Sequence, residues 1–206
     1  MTVRQRVQSV LNFQLPDDRL PMIEWANWWD KTLNRWKGEG LPADVAYDDT
    51  MDYFGLDRLE CIRVMTMSDS FPYAKTHGGA VITDTESYNA VKQHLFADEM
   101  LMRAVDTAKA LKLRHENGEI AIRIWLDGYF WFPRSLFGIE NHLFSFYDEP
   151  ELMHQMNSEL TDYNIRVMEA IFEVLSPEFV GIAEDMSYNH GPMLSYDMYK
   201  EFLAPY

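Results

Sequence analysis

Cysteine is almost missing from this chain: among 206 residues there is one, Cys61. An internal disulfide is excluded, and so is a cysteine-based zinc site built within these residues. The lack of a disulfide framework suits a reducing compartment. Basic residues are scarce, 18 against 33 acidic, for a formal charge of −15. A surface of that sign repels phosphate backbones and anionic lipid, so neither nucleic acid nor a membrane is expected as partner. No apolar run reaches the roughly 18 residues that a membrane helix needs. The opening MTVRQRVQSVLNF lacks the apolar core of a secretory signal, and a cytoplasmic protein is expected. Repeats, low-complexity tracts and Gly/Ser linkers are missing too.

Aromatic residues, in contrast, make up 14% of the chain. Four of the six tryptophans, Trp25, Trp28, Trp29 and Trp36, fall within twelve residues. Such a cluster either lines a pocket for a large flat ligand or packs a core.

Periodicity predicts a helix over residues 2–12, capped by Thr2, with Val3, Val7, Val10 and Leu11 on one face. Strands are predicted at residues 20–25, 62–67, 119–126 and 179–183. Residues 28–42 read as helix or loop, and residues 73–84 as a hairpin around His77-Gly78-Gly79. A helix follows at 97–115. A long one is opened by Asp148 and Glu151, with a stripe of Leu152, Met156, Leu160, Tyr163, Val167, Ile171 and Val174. Ser195 is placed to cap a last helix. Strands alternating with helices argue for an α/β protein with a parallel sheet and right-handed crossovers.

Each predicted strand ends near an acid: Glu24, then Asp69, then Asp127, then Glu184 and Asp185. In a parallel sheet these carboxyl ends share one face, where such folds place their chemistry. A shared acidic site is one reading; acid-rich loops in an acid-rich chain are the other. Asp185 is the leading catalytic candidate, able to orient a substrate donor or support a metal-bound group. Glu184 points the opposite way if strand alternation continues. His190 could serve as acid, base or ligand near neutral pH. Asp127 and Tyr129 could share a site with Asp185. Arg134 either holds an anion or decorates a helix. His77 reads as a hairpin residue, Cys61 as a small core residue, and His94, His115, His142 and His154 show no ligand spacing.

Residues 184–206, EDMSYNHGPMLSYDMYKEFLAPY, resemble the uroporphyrinogen decarboxylase superfamily. There a strand ends in an acid, a Gly-containing loop follows, and then a helix of the form L-S-P-x-x-[FY]-x-E-F-x-x-P-Y. Leu194, Ser195, Tyr199, Glu201, Phe202, Pro205 and Tyr206 match it, while Tyr196 stands where the family has proline. Residues 4–21 resemble the family's opening helix and loop. Residues 127–156 resemble its third strand end and the helix starts that follow. The resemblance implies a (β/α)8 TIM barrel. Residues 1–206 would be the N-terminal half of that single domain, four strands plus the hairpin. Half a barrel leaves open edges, so either further chain completes it or two copies associate. The former is favoured here, because the sequence stops inside the motif at Pro205-Tyr206.

Within the superfamily, the decarboxylase reads its polyacidic porphyrinogen through an R-Q-A-G-R-Y segment after the first strand. Here that place holds Glu24-Trp25-Ala26-Asn27-Trp28-Trp29, without arginine. Carboxylate substrates call for guanidinium forks, so Glu24, Trp25 and Trp28 suit a less anionic or cationic ligand. Met67-Ser68-Asp69-Ser70 partly matches the decarboxylase F-S-D-I, with Asp69 as its aspartate, and Tyr129 lies near its third-strand tyrosine. The long loop holding Tyr188 and His190 looks more like the cobalamin-dependent methyltransferase branch. That branch implies a corrinoid, a corrinoid-protein partner or small-molecule acceptor, and a zinc whose ligands lie outside these residues. Tetrapyrrole decarboxylation in porphyrin metabolism remains an alternative, as does a non-catalytic half-barrel that binds a tetrapyrrole or only associates.

Overall fold

A computed structural model describes every residue except Asn27 and Asp48. Asn27, in the segment that stands where the family has arginines, therefore lies outside the described residues. The elements run α1 (Val3–Leu11), α2 (Asp30–Glu39), α3 (Thr50–Tyr53), β1 (Leu59–Arg63), α4 (Thr85–Val91), α5 (Asp98–Glu116) and β2 (Ala121–Asp127). They continue α6 (Trp131–Phe137), α7 (Ile139–Asp148), α8 (Pro150–Phe172), β3 (Phe179–Ala183), β4 (Ser187–Tyr188), β5 (Gly191–Pro192) and α9 (Tyr196–Phe202). Among the described residues no helix is long and apolar enough to cross a membrane.

The main sheet has the order β1-β2-β3, that of the chain. Its ladder advances in one direction on all strands. Ala121 N–H donates to the Arg58 carbonyl and Val64 N–H to that of Trp125; Glu178 N–H donates to Ile122 and Gly128 N–H to Ala183. The sheet is thus parallel, with helical crossovers between successive strands, and among the described residues no barrel is closed. Central β2 is buried over most of its length, as a strand with neighbours on both sides should be.

Local chemistry explains most boundaries. Thr2 forms a capping box with Gln5 at the start of α1. Ser195 caps α9 by accepting the Met198 N–H. The predicted stripe of α8 is buried from Leu152 through Ile171. Its first part, Leu152, Met156 and Leu160, packs with Phe130, Phe132, Leu136 and Phe202 in one apolar cluster.

Several expectations need correction. Residues 20–25 form no strand. Pro21 lacks a ladder donor, and Asp57 supplies the pairing instead: its N–H donates to the Met22 carbonyl at 2.7 Å and its carboxylate accepts the Met22 N–H at 2.9 Å. Arg19 clamps that buried carboxylate with both guanidinium ends. Among the described residues the sheet therefore has three strands rather than four. The strand expected at residues 62–67 begins earlier, as β1. Residues 73–84 make no hairpin, because their backbone bonds elsewhere: Gly78 accepts the Ile139 N–H, and Val81 and Ile82 donate to the Leu136 carbonyl. Asp148 ends α7 instead of capping α8, which starts on Pro150 without a side-chain cap. Cys61 is exposed, not a core residue.

The chain packs as two units. One comprises Met1–Cys61, Ala110–Arg123 and Pro177–Phe179; the other comprises Ile62–Lys109, Ile124–Ser176 and Val180–Tyr206. Within the first, the buried Glu178 carboxylate accepts from Arg4 Nε at 2.7 Å, the Ile122 N–H at 2.7 Å and His115 Nε2 at 3.0 Å. A desolvated carboxylate is tolerated there because its lone pairs are filled.

Candidate functional site at the strand ends

In the second unit β2 ends at Asp127, Gly128 turns the chain, and α6 begins three residues later. β3 ends at Ala183, followed by Glu184 and Asp185. The two acids have different fates. Glu184 turns toward the start of α6 and accepts the N–H groups of Tyr129 at 2.6 Å, Phe130 at 2.9 Å and Trp131 at 3.2 Å. Burial raises its pKa and the neighbouring Asp127 adds to that, while the three N–H groups pull the other way. Gly128 makes this possible: a Cβ there would sit 2.2 Å from the Glu184 carboxyl carbon. Glu184 is thus a positioning group for the β2–α6 turn, not an open substrate ligand.

Asp185 is exposed and borders a cavity of about 430 Å³ with His77, Trp131, Arg134 and Ser135. Arg134 stacks over the Trp131 ring at 5.5 Å and donates to the Asp185 carbonyl at 3.2 Å. That leaves guanidinium donors for a ligand. Gly78, Gly79 and Gly138 leave part of the lining to backbone. Gly138 has φ 79°, and a side chain there would meet the Gly78 carbonyl at 2.7 Å. One carboxylate, one guanidinium, one imidazole and the hydroxyl-bearing Tyr73, Thr76 and Ser135 thus surround a space bordered by an indole. Such a set can hold a small polar or anionic molecule and exchange a proton with it.

Asp127 accepts from the Thr66 hydroxyl at 2.9 Å, and burial raises its pKa despite that bond and the charge of Arg63. It is near Glu184 electrostatically but does not line the Asp185 cavity. Tyr129 is engaged elsewhere, accepting from Thr161 at 3.2 Å and donating to the Tyr206 carbonyl at 3.3 Å. Asp69 is exposed and pairs with Arg103 at 2.7 Å, which lowers its pKa. Tyr188 borders a neighbouring cavity of about 370 Å³ with Phe130, Arg134, His142 and Met193. His190 sits exposed on the turn joining β4 and β5, with its ring 5.6 Å from that of Tyr188, and lines neither cavity.

In the first unit, Glu24 and Trp28 line an aromatic cavity of about 850 Å³. Trp25 does not; its ring is exposed beneath the Arg123 guanidinium at 5.2 Å, and its carbonyl accepts from that side chain at 2.9 Å.

Sequence reasoning passed over two groups. His77 was masked by the glycines that follow it, which suggest a plain turn. His142, fully buried between Phe130 and Phe146, has no hydrogen-bond partner for either ring nitrogen among the described residues. Among the described residues no three His, Cys, Asp or Glu side chains gather to hold a metal ion. Compared with protein-family models, with curated proteins and with solved structures, the chain finds no match.

Proposed function

We propose that the chain belongs to a (β/α)8 enzyme of the uroporphyrinogen decarboxylase superfamily, on the side that transfers a methyl group from a corrinoid to a small acceptor. The observation that carries this reading is Asp185, presented with Arg134 in a cavity at the carboxyl end of parallel strands that follow chain order. Beside it stand the motif matches in residues 184–206 and the Ser195 cap of α9. In this reading β1, β2 and β3 are the second, third and fourth strands of the barrel.

Arg134 binds an anionic end of the acceptor through its remaining donors. Asp185 orients the acceptor's donor group, and His77 takes up or returns the proton. The corrinoid supplies the methyl group. The described residues do not assemble a ligand set for zinc, so no step is assigned to a metal. Tetrapyrrole decarboxylation is less well supported, because its matching aspartate, Asp69, is spent on a surface pair with Arg103.

The test uses the native protein with methylcobalamin and a panel of small thiols, followed by loss of the methylcobalamin absorbance, and in parallel with uroporphyrinogen under anaerobic conditions. Methyl transfer that falls at least about tenfold in Asp185→Asn, with unchanged thermal stability, supports the reading. Formation of coproporphyrinogen, or full methyl transfer by Asp185→Asn, overturns it.

A further inference from the structure

The aromatic cavity of the first unit has its own chemistry. Trp28, Trp36 and Phe54 meet pairwise at 72°, 82° and 77°, with centroids 5.2–5.8 Å apart. Three nearly perpendicular rings form a corner, and all three border the same cavity of about 850 Å³. Tyr53 adds a fourth ring to its wall.

The charges around this corner have one sign. Glu24 and Glu39 border the cavity, and none of the described residues lining it is basic. Glu39 shares its charge with Arg35 at 2.7 Å on the exposed side of α2, whereas among the described residues Glu24 accepts only a bond from the Ala26 N–H at 3.2 Å. α2 also ends here, with Glu39 its last residue and Gly40 its C-cap, both at the cavity. The last carbonyls of a helix carry partial negative charge. Ring faces, carboxylates and a helix C-terminus all attract a cation.

We infer that this cavity is a binding site for an alkylated ammonium, a quaternary or methylated amine head group on a small organic body. A bare metal ion or a primary ammonium is strongly hydrated and gives up much on entering a wall of rings. A methylated cation is weakly hydrated and places its methyl groups against the ring faces. The volume leaves room for more than the head group. The inference rests on the first unit alone and stands or falls independently of the reading of the strand ends.

The experiment is calorimetric titration of the full chain with choline and with 3,3-dimethylbutan-1-ol, the uncharged molecule of the same shape. Choline should bind saturably, and the uncharged analogue at least about fivefold more weakly. Trp36→Leu should abolish choline binding. Because that variant removes a packed ring and could unfold, Glu24→Gln is measured beside it, with circular dichroism as the check on folding. Glu24→Gln should weaken choline by about threefold or more and leave the uncharged analogue unaffected. Equal binding of the two probes would mean an apolar cavity without cation selectivity and overturns the inference. So does the absence of saturable choline binding, or unchanged choline affinity in a folded Glu24→Gln.

Discussion

The carboxylate of Glu184 fills the space that a side chain at residue 128 would need: a Cβ there lies 2.2 Å from the Glu184 carboxyl carbon and 2.6 Å from the Ala183 carbonyl oxygen. Glycine at 128 and glutamate at 184 are therefore one device, which closes the β2–α6 turn against the end of β3. Gly128→Ala should cost about 1–3 kcal/mol through overpacking. Glu184→Ala should cost a similar amount by leaving three N–H groups without their acceptor. The two losses should not add. Once Glu184 is shortened, a methyl at 128 loses the two nearest of its clashes and keeps that with the fixed Ala183 carbonyl, so the double variant should recover about 1 kcal/mol of the sum. Denaturant unfolding of the four proteins measures this cycle, and strict additivity would remove the proposed coupling.

Why some of this was legible beforehand and some was not follows from the range of the interactions. The α8 stripe, the Thr2 and Ser195 caps and the apolar run of β3 are local patterns, and each stands where it was expected. Residues 20–25 have the composition of a strand, but Pro21 and the distant Asp57 decide their pairing. Glu184 and Asp185 lie just past the end of β3, so strand alternation does not set their directions. The local sequence gave no sign that Glu184 would be consumed by the α6 turn, because that depends on a glycine 56 positions earlier in the chain. The aromatic corner was visible as a tryptophan cluster, yet its perpendicular rings involve Phe54, outside that cluster.

Asp127 offers a pH test. Burial raises its pKa above the unfolded value. The folded state thus holds this proton more tightly than the unfolded chain does. Its contribution to stability is present at low pH and is lost as pH rises through the folded pKa. Asp127→Asn keeps an oxygen to accept the Thr66 hydroxyl but never ionises. Its unfolding free energy relative to the unaltered protein should therefore improve between about pH 3 and about pH 7. Chemical denaturation at both pH values decides it; a relative loss toward neutral pH contradicts the assignment. A gain in stability combined with a loss of turnover would mark Asp127 as a residue kept for function despite its cost.

His142 should dominate the acid sensitivity of the second unit. Its imidazole is fully buried against Phe130 and Phe146, both nitrogens lack partners among the described residues, and burial, helped by the charge of Arg134, pushes its pKa down to about 3. In the unfolded chain the same group titrates near its ordinary 6.5. Between those values the unfolded chain binds a proton that the folded protein refuses, so stability falls as pH drops through this window. The accumulated loss is on the order of 4 kcal/mol at about pH 3. His142→Phe keeps a ring in the same aromatic packing and removes the titration. The acid-unfolding midpoint of the variant, followed by near-ultraviolet circular dichroism, should move to lower pH. Its stability at neutral pH should be at least equal, since two unpaired polar atoms leave the core. An acid midpoint that stays in place would mean that His142 takes up its proton in the folded state, through a partner that solvent or a bound molecule supplies in the cavity beside it.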